Sequence, residues 1–254
     1  MTHPQTAQFS AATPDAPAIS WIDQLPPPVR PYLRLMRADR PIGTWLLLIP
    51  CWWGVTLAFL DQARPETDLL TSILYALLFA VGAFVMRGAG CVYNDIVDRD
   101  FDAQVHRTAK RPIPAGHVKV WQAWAFLIAL SLIGLIVLLQ FNRTTILTGL
   151  AALALVAAYP FMKRITWWPQ AWLGLTFNWG ALVGWTAITG EISAPALMLY
   201  LGGIFWTLGY DTIYAHQDKD DDALIGVKST ARKFGKETRT WLLMFYTGFI
   251  FFVS

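Results

Sequence analysis

Charged residues divide the chain into uncharged runs at 41–60, 69–86, 120–142, 144–162, 165–190 and 192–210, with a further run, 240–254, reaching the last residue. The six bounded runs hold 20, 18, 23, 19, 26 and 19 residues. A bilayer core about 30 Å thick takes about 20 apolar residues of α-helix. Inside lipid the backbone has to satisfy its own hydrogen bonds, which favours helices over open strands. The pattern predicts an all-α polytopic membrane protein, a bundle of six complete transmembrane helices and part of a seventh. The last run is too short to cross comfortably, so a C-terminally truncated domain is expected.

Composition agrees. The 254 residues are 55% hydrophobic and 15% charged, against about 25% charged in a soluble domain. The charges that remain have a topological order. Lys and Arg gather in loops on the cytoplasmic side, and 17 of the 20 fall before the first run or in alternate loops after it. The other loops hold Arg64 and Arg143, and Arg87 ends the second run. The N-terminus is therefore expected in the cytoplasm, and the net charge of +3 implies no nucleic acid. Residues 1–29 lack Lys and Arg and include Pro26-Pro27-Pro28; they are read as a disordered tail ahead of one transmembrane domain, 30–254. Cys51 and Cys91 form no disulfide or zinc pattern. Trp52, Trp53, Trp121, Trp124, Trp167 and Trp168 are read as interfacial anchors, and no protein partner is inferred.

The acids are placed differently. Nine of 17 lie in two short segments, Asp95, Asp98, Asp100 and Asp102 in the first and Asp211, Asp218, Asp220, Asp221 and Asp222 in the second. Asn94, Asp98 and Asp102 recur every four residues and share one face of a continuing helix. Asp211, Asp218 and Asp222 would do the same, with Tyr214 beside them. Like charges at that spacing repel, so a cation is expected opposite them. Mg²⁺ takes one or two carboxylates together with substrate phosphates, and basic residues follow each segment: Arg107, Lys110 and Arg111, then Lys228 and Arg232. Acids for metal next to bases for phosphate describe a site for a diphosphate ester. Asp100, Asp220 and Asp221 are equally readable as solvated bystanders.

These segments resemble the paired aspartate motifs of the UbiA superfamily of intramembrane aromatic prenyltransferases. So do Arg37-x-x-Arg40-Pro41-x-Gly43, Arg107-Thr-Ala-x-Arg111-Pro112-x-Pro114-x-Gly116, Tyr159-Pro-Phe-Met-Lys163-Arg164, and Tyr210-Asp211-Thr-x-Tyr214-Ala followed by Ile225-Gly226-x-Lys228-Ser229-Thr230. The likeness covers residues 30–240 and runs closest to the hydroxybenzoate branch. It implies nine membrane helices in the whole fold and transfer of a polyprenyl group from polyprenyl diphosphate, dissolved in the lipid bilayer, to the ring carbon ortho to the hydroxyl of 4-hydroxybenzoate, an early membrane step of ubiquinone synthesis. It further implies Mg²⁺ held by Asn94, Asp95, Asp98 and Asp102 on one side and Asp218 and Asp222 on the other, with a bacterial inner membrane as the setting.

Asp98, Asp102, Asp218 and Asp222 then carry catalysis through the metal, and Lys110, Arg111, Lys163 and Lys228 are candidates to clamp the diphosphate. Tyr159 stands one turn before Lys163, and Tyr214 lies in the second segment; both are candidate substrate contacts. Arg37, Arg87 and Arg164 are all available for the acceptor's carboxylate, with a pair between Arg87 and Asp211 as the alternative for Arg87. Gly82, Gly88, Gly90, Gly174, Gly180 and Gly184 are read as allowing close helix approach. Another aromatic acceptor is the alternative within the superfamily. A divalent-cation transporter is the alternative outside it, but its acids belong near the midplane.

The charge pattern makes one prediction independent of any resemblance. Single cysteines at positions 105 and 225 should react with an impermeant thiol reagent from one side of the membrane, and those at 64 and 191 from the other. Labelling of 105 and 225 from opposite sides would rule out a common site for the two acidic segments.

Overall fold

The computed structural model describes residues 20–61, 68–104, 108–217, 219, 223 and 226–254, and every uncharged run is helical in it. A short helix α1 (Arg30–Leu35) precedes α2 (Ile42–Leu60), α3 (Leu69–Asp102), α4 (Val120–Leu138), α5 (Arg143–Ile165), α6 (Pro169–Thr189) and α7 (Ala194–Tyr214). A one-turn helix α8 (Thr230–Phe234) leads into α9 (Thr238–Val253). By length and composition α2, α3, α4 and α5 can each cross a membrane. Helices α6 and α7 match the remaining runs. No strand occurs among the described residues.

The chain divides into two compact units, one running to Pro41 and including Gly88–Leu130, the other comprising Ile42–Arg87 and Ser131–Ser254. The sequence gives no sign of this division because it falls inside two uninterrupted helices, α3 and α4.

In the first unit, part of the expected disordered tail is ordered. Residues 1–19 lie outside the described residues, but Trp21–Gln24 forms a 3-10 turn capped by Ser20. Ile22 and Leu35 are fully buried, Asp23 pairs with Arg34, and Arg30 donates to the Leu25 carbonyl at 2.6 Å. An apolar anchor and two arginine contacts outweigh the helix-breaking prolines.

In the second unit α2 lies tightly on α6. A Cβ at Gly54 would strike the Ala181 carbonyl, and one at Gly184 the Cys51 carbonyl. At Gly180 it would meet Cys51 Sγ at 2.7 Å and the Cys51 nitrogen at 3.2 Å. Small residues let the backbones meet here, as they do in membrane bundles. Gly174 does the same against Ile204, and in the first unit Gly88 makes room for Met36. Gly90 and Gly82 depart from the expectation: a Cβ meets nothing within 4 Å at Gly90 and only Val137 Cγ1, at 3.5 Å, at Gly82.

Asn178 and Thr186 of α6 find their partners inside the unit. Asn178 donates to the Gly174 carbonyl (2.9 Å) and to Thr207 Oγ1 (2.8 Å). Thr186 bonds Thr145 at 3.2 Å, and Asn142 reaches the Thr186 carbonyl at 2.7 Å while capping α5. Each bond matters because an unpaired polar group in an apolar medium costs several kcal/mol.

Trp121 and Trp124, exposed near the start of α4, suit an interfacial belt. Trp52 and Trp53 do not, since they lie midway along α2, where Trp52 Nε1 donates to the Ala76 carbonyl at 2.9 Å. Trp168 packs edge-on against Phe234 and Trp241, with Lys233 Nζ 4.8 Å from its ring centre. A wide ring with one donor serves helix packing as well as it serves an interface, and run boundaries alone do not separate the two uses.

Gly184→Val should lower the melting temperature in detergent markedly, since overpacking costs about 1–3 kcal/mol and the obstructing atoms are backbone. Gly82→Ala should leave it unchanged; equal melting temperatures for the two variants would refute the close crossing.

Candidate functional site

At 1.5 Å per residue the 34 residues of α3 extend about 51 Å, well beyond the core of about 30 Å. Arg87 is nineteenth in the helix, so the charged stretch lies at and past one edge of the hydrocarbon. Arg87 lies against Gly43, where a Cβ would collide with its guanidinium. Glycine in Arg40-Pro41-x-Gly43 is therefore what leaves room for the arginine.

Past Gly88, Asp95, Asp98 and Asp102 are 2%, 1% and 7% exposed, whereas Asp100 and Arg99 are exposed and pair with each other at 3.4 Å. The i, i+3 and i+4 spacings thus separate inward from solvated acids, as the helical pattern required. Asn94 is half-buried on the same stretch. Asp95 Oδ1 accepts from Arg37 Nη2 at 2.9 Å and from Arg111 Nη1 at 3.3 Å. Arg111 Nη1 also reaches Asp102 Oδ2 at 2.8 Å, linking two carboxylates seven residues apart on α3. Lys110, its neighbour, is exposed.

Two local structures deliver these arginines. Arg37 follows α1 with φ of 56°, and it alone among the described non-glycine residues has a positive φ. A side chain in that conformation costs about 1–2 kcal/mol, a cost offset by the contact with a buried carboxylate. Arg111 opens a tight loop in which Ala115 donates to the Arg111 carbonyl at 2.9 Å and Val118 to that of Pro112 at 3.0 Å. Gly116 takes φ of 74°, Val118 is buried, and Thr108 Oγ1 bonds the Asp102 carbonyl at 2.9 Å. Proline and glycine in Arg111-Pro112-x-Pro114-x-Gly116 make this loop a fixed support for the guanidinium.

The second acidic segment differs. Helix α7 ends at Tyr214, with turns at 215–217, so the continuing helix that would align Asp211 with Asp218 and Asp222 is interrupted. Asp218 and Asp222 lie outside the described residues. Tyr214 is exposed and Asp211 half-buried. The sequence after the segment is tied down: Thr212 and Thr230 hydroxyls bond at 2.7 Å, and the Thr230 N–H donates to Gln170 at 3.2 Å. The Lys228 N–H donates to the Lys163 carbonyl at 3.0 Å, and its ammonium to the Ile165 carbonyl at 3.1 Å. A lysine there complements the carbonyl end of α5. Lys163 and Tyr159 are half-buried in the last turns of α5, and exposed Arg164 lies 6.0 Å from the Phe161 ring centre.

Residues 47–254 match the UbiA prenyltransferase family. The chain belongs to that family. The mitochondrial 4-hydroxybenzoate polyprenyltransferase of Rattus norvegicus is 54% identical over 226 residues, which are 89% of this chain and 59% of that protein. The Arabidopsis thaliana protein of the same name is 52% identical over 92% of this chain and 57% of its own length. The chain therefore spans about three fifths of these curated relatives. A UbiA homologue from Aeropyrum pernix K1 superposes with a TM-score of 0.70 and 28% identity, covering 84% of this chain and 78% of the other. The fold also matches a UbiA homologue from Archaeoglobus fulgidus bound to GPP and Mg²⁺, with a TM-score of 0.63 and 21% identity over 86% and 73% of the two chains. This UbiA-family chain is thus a helical integral membrane protein. The two curated relatives are mitochondrial proteins, which gives no support to a bacterial inner membrane.

Within the family site, hard oxygen donors on one helix face fit a hard divalent cation by chemistry. Among the described residues no three acidic, His or Cys side chains converge as a ready metal cage, and two of the expected ligands lie outside them. Sequence reasoning missed Asp39, whose side chain is 3% exposed and 3.5 Å from Arg40; its position between two arginines of one motif was the available signal. It also read Arg111 only as a phosphate clamp.

Arg111→Ala should lower the melting temperature in detergent strongly, because removing one partner of a buried pair costs about 3–5 kcal/mol. Lys110→Ala is the exposed control and should leave it unchanged.

Proposed function

We propose that this protein transfers a polyprenyl group from a polyprenyl diphosphate to the ring carbon ortho to the hydroxyl of 4-hydroxybenzoate, on the side of the membrane that holds the basic loops. The observation that carries this reading is the row of buried carboxylates on α3 with two arginines set against it, in a chain about half identical to enzymes of that name. Asn94, Asp98 and Asp102, with Asp218 and Asp222, would hold Mg²⁺. When bound, the metal supplies charge neutralisation at the departing diphosphate.

The chain's own residues do the rest. Arg111 stands beside the aspartates, where diphosphate oxygens would arrive, and Lys110, Lys163 and Lys228 are further cations for them. Tyr159 and Tyr214 are proposed contacts to the substrates. The apolar helices keep water from the reacting carbon. The bond from the allylic carbon to the diphosphate oxygen breaks, that carbon joins the ring, and the ring proton leaves to restore aromaticity. A carboxylate on the acceptor requires a cation in low dielectric. Arg37, Arg87 and Arg164 are the proposed cations for it, and Arg37 also holds Asp95.

Membranes containing the protein, given Mg²⁺, a polyprenyl diphosphate and a panel of aromatic acids, should yield prenylated 4-hydroxybenzoate identifiable by mass. Chelation should abolish the product and Mg²⁺ restore it. Asp98→Ala should cost about 10²-fold or more in rate, the scale of losing charge stabilisation in a transition state. Full turnover in excess chelator would overturn the reading.

A further inference from the structure

We infer that Asp95 is a positioning residue and not a metal ligand: it anchors Arg37 and Arg111, and through Arg111 it orients the carboxylate of Asp102. The inference rests on the reading of this segment as the diphosphate site and assigns its first acidic residue a separate task.

Three observations carry it. Both guanidinium groups use the same oxygen, Oδ1, at 2.9 Å and 3.3 Å. A divalent cation on that oxygen would sit against two positive charges at hydrogen-bonding range, whereas Asp102 meets one guanidinium, that of Arg111. Next, Asp95 is 2% exposed, so its charge requires permanent partners, and arginine, always protonated and forked, supplies them. Last, Arg37 keeps a backbone conformation suited to glycine, with φ of 56°, while its side chain reaches this carboxylate. The strain has a purpose if the Arg37–Asp95 contact has one.

The same strain provides a clean variant. Arg37→Gly removes the guanidinium and gives the backbone the residue that accepts a positive φ most readily, so loss of folding is not its expected consequence; melting in detergent checks this. Arg37→Gly, Asp95→Asn, the double variant and Asp98→Asn are compared in the purified protein by Mn²⁺ binding, followed by electron paramagnetic resonance with an unreactive prenyl thiodiphosphate present. The Mg²⁺ dependence of turnover is followed alongside. Supports of metal ligands typically contribute about 10–100-fold in metal affinity. Asp95→Asn should therefore weaken Mn²⁺ binding by about tenfold and Arg37→Gly should weaken it too, by no more than that, since Arg111 keeps its contact with Asp95 there; the double variant should be no worse than Asp95→Asn, as expected when Arg37 acts through Asp95.

A ligand would behave otherwise. If Asp95 binds the metal, Asp95→Asn weakens Mn²⁺ binding while Arg37→Gly, which frees the carboxylate, leaves it unchanged or tightens it; that divergence overturns the inference, and so do additive losses in the double variant. Unchanged Mn²⁺ binding in Asp98→Asn would instead overturn the reading of the whole segment, a failure distinguishable from the first.

Discussion

Three carboxylates buried on one face of one helix are the constraint around which the first unit is built. Desolvating a charge costs several kcal/mol unless partners replace the lost water, and Asp95, Asp98 and Asp102 repel one another at helical spacing. The offset comes from outside α3. Arg37 is brought in at the end of α1 on a left-handed backbone, and Arg111 on a loop stiffened by two prolines and Gly116. The buried Ile22 and Leu35 hold α1 in place. Each of these features is locally odd or costly, and each is accounted for by the charge it serves. Arginine suits the role because one guanidinium can donate to two carboxylates at once, as Arg111 does.

The second unit answers a different constraint, the absence of water around its helices. Asn178 and Thr207 turn inward and bond each other, Thr186 bonds Thr145, and glycines let α2 and α6 meet closely. The Lys228-Ser229-Thr230 stretch fits the same logic. Its threonine bonds Thr212, and its lysine takes up a carbonyl at the end of α5. A motif that reads as chemistry in sequence also braces, at these atoms, the ends of α5 and α7.

Long helices were legible because membrane burial acts on many consecutive residues at once: each uncharged run became a helix, although α3 continues to Asp102, well past the end of its run at 86. The inward turn of Asp98 and Asp102 was legible for a related reason, since periodicity survives without tertiary knowledge, but the third member of the face is the buried Asp95 and not the half-buried Asn94. The Arg37–Asp95 contact was not. It joins residues 58 apart and depends on one backbone angle that no composition records. The stop of α7 at Tyr214 was also hidden, because nothing in Tyr214-Ala-His216 is a helix breaker. Gly90 and Trp52 mark the remaining limit: glycine and tryptophan each have two common uses in a membrane helix, and only the neighbour across the gap selects one.

Helix α3 combines demands that a shorter helix could not meet. Its first half exposes Leu70, Leu74, Leu77, Val81 and Phe84 on one stripe, at i+3 and i+4 steps, as a lipid-facing surface does. Its last part carries the buried aspartates. No proline interrupts it. The added length beyond a simple crossing, about 14 residues at about 20 per span, is the stretch that holds Asp95, Asp98 and Asp102, so the lipid-facing stripe and the buried charges occupy successive parts of one helix and neither pattern interrupts the other.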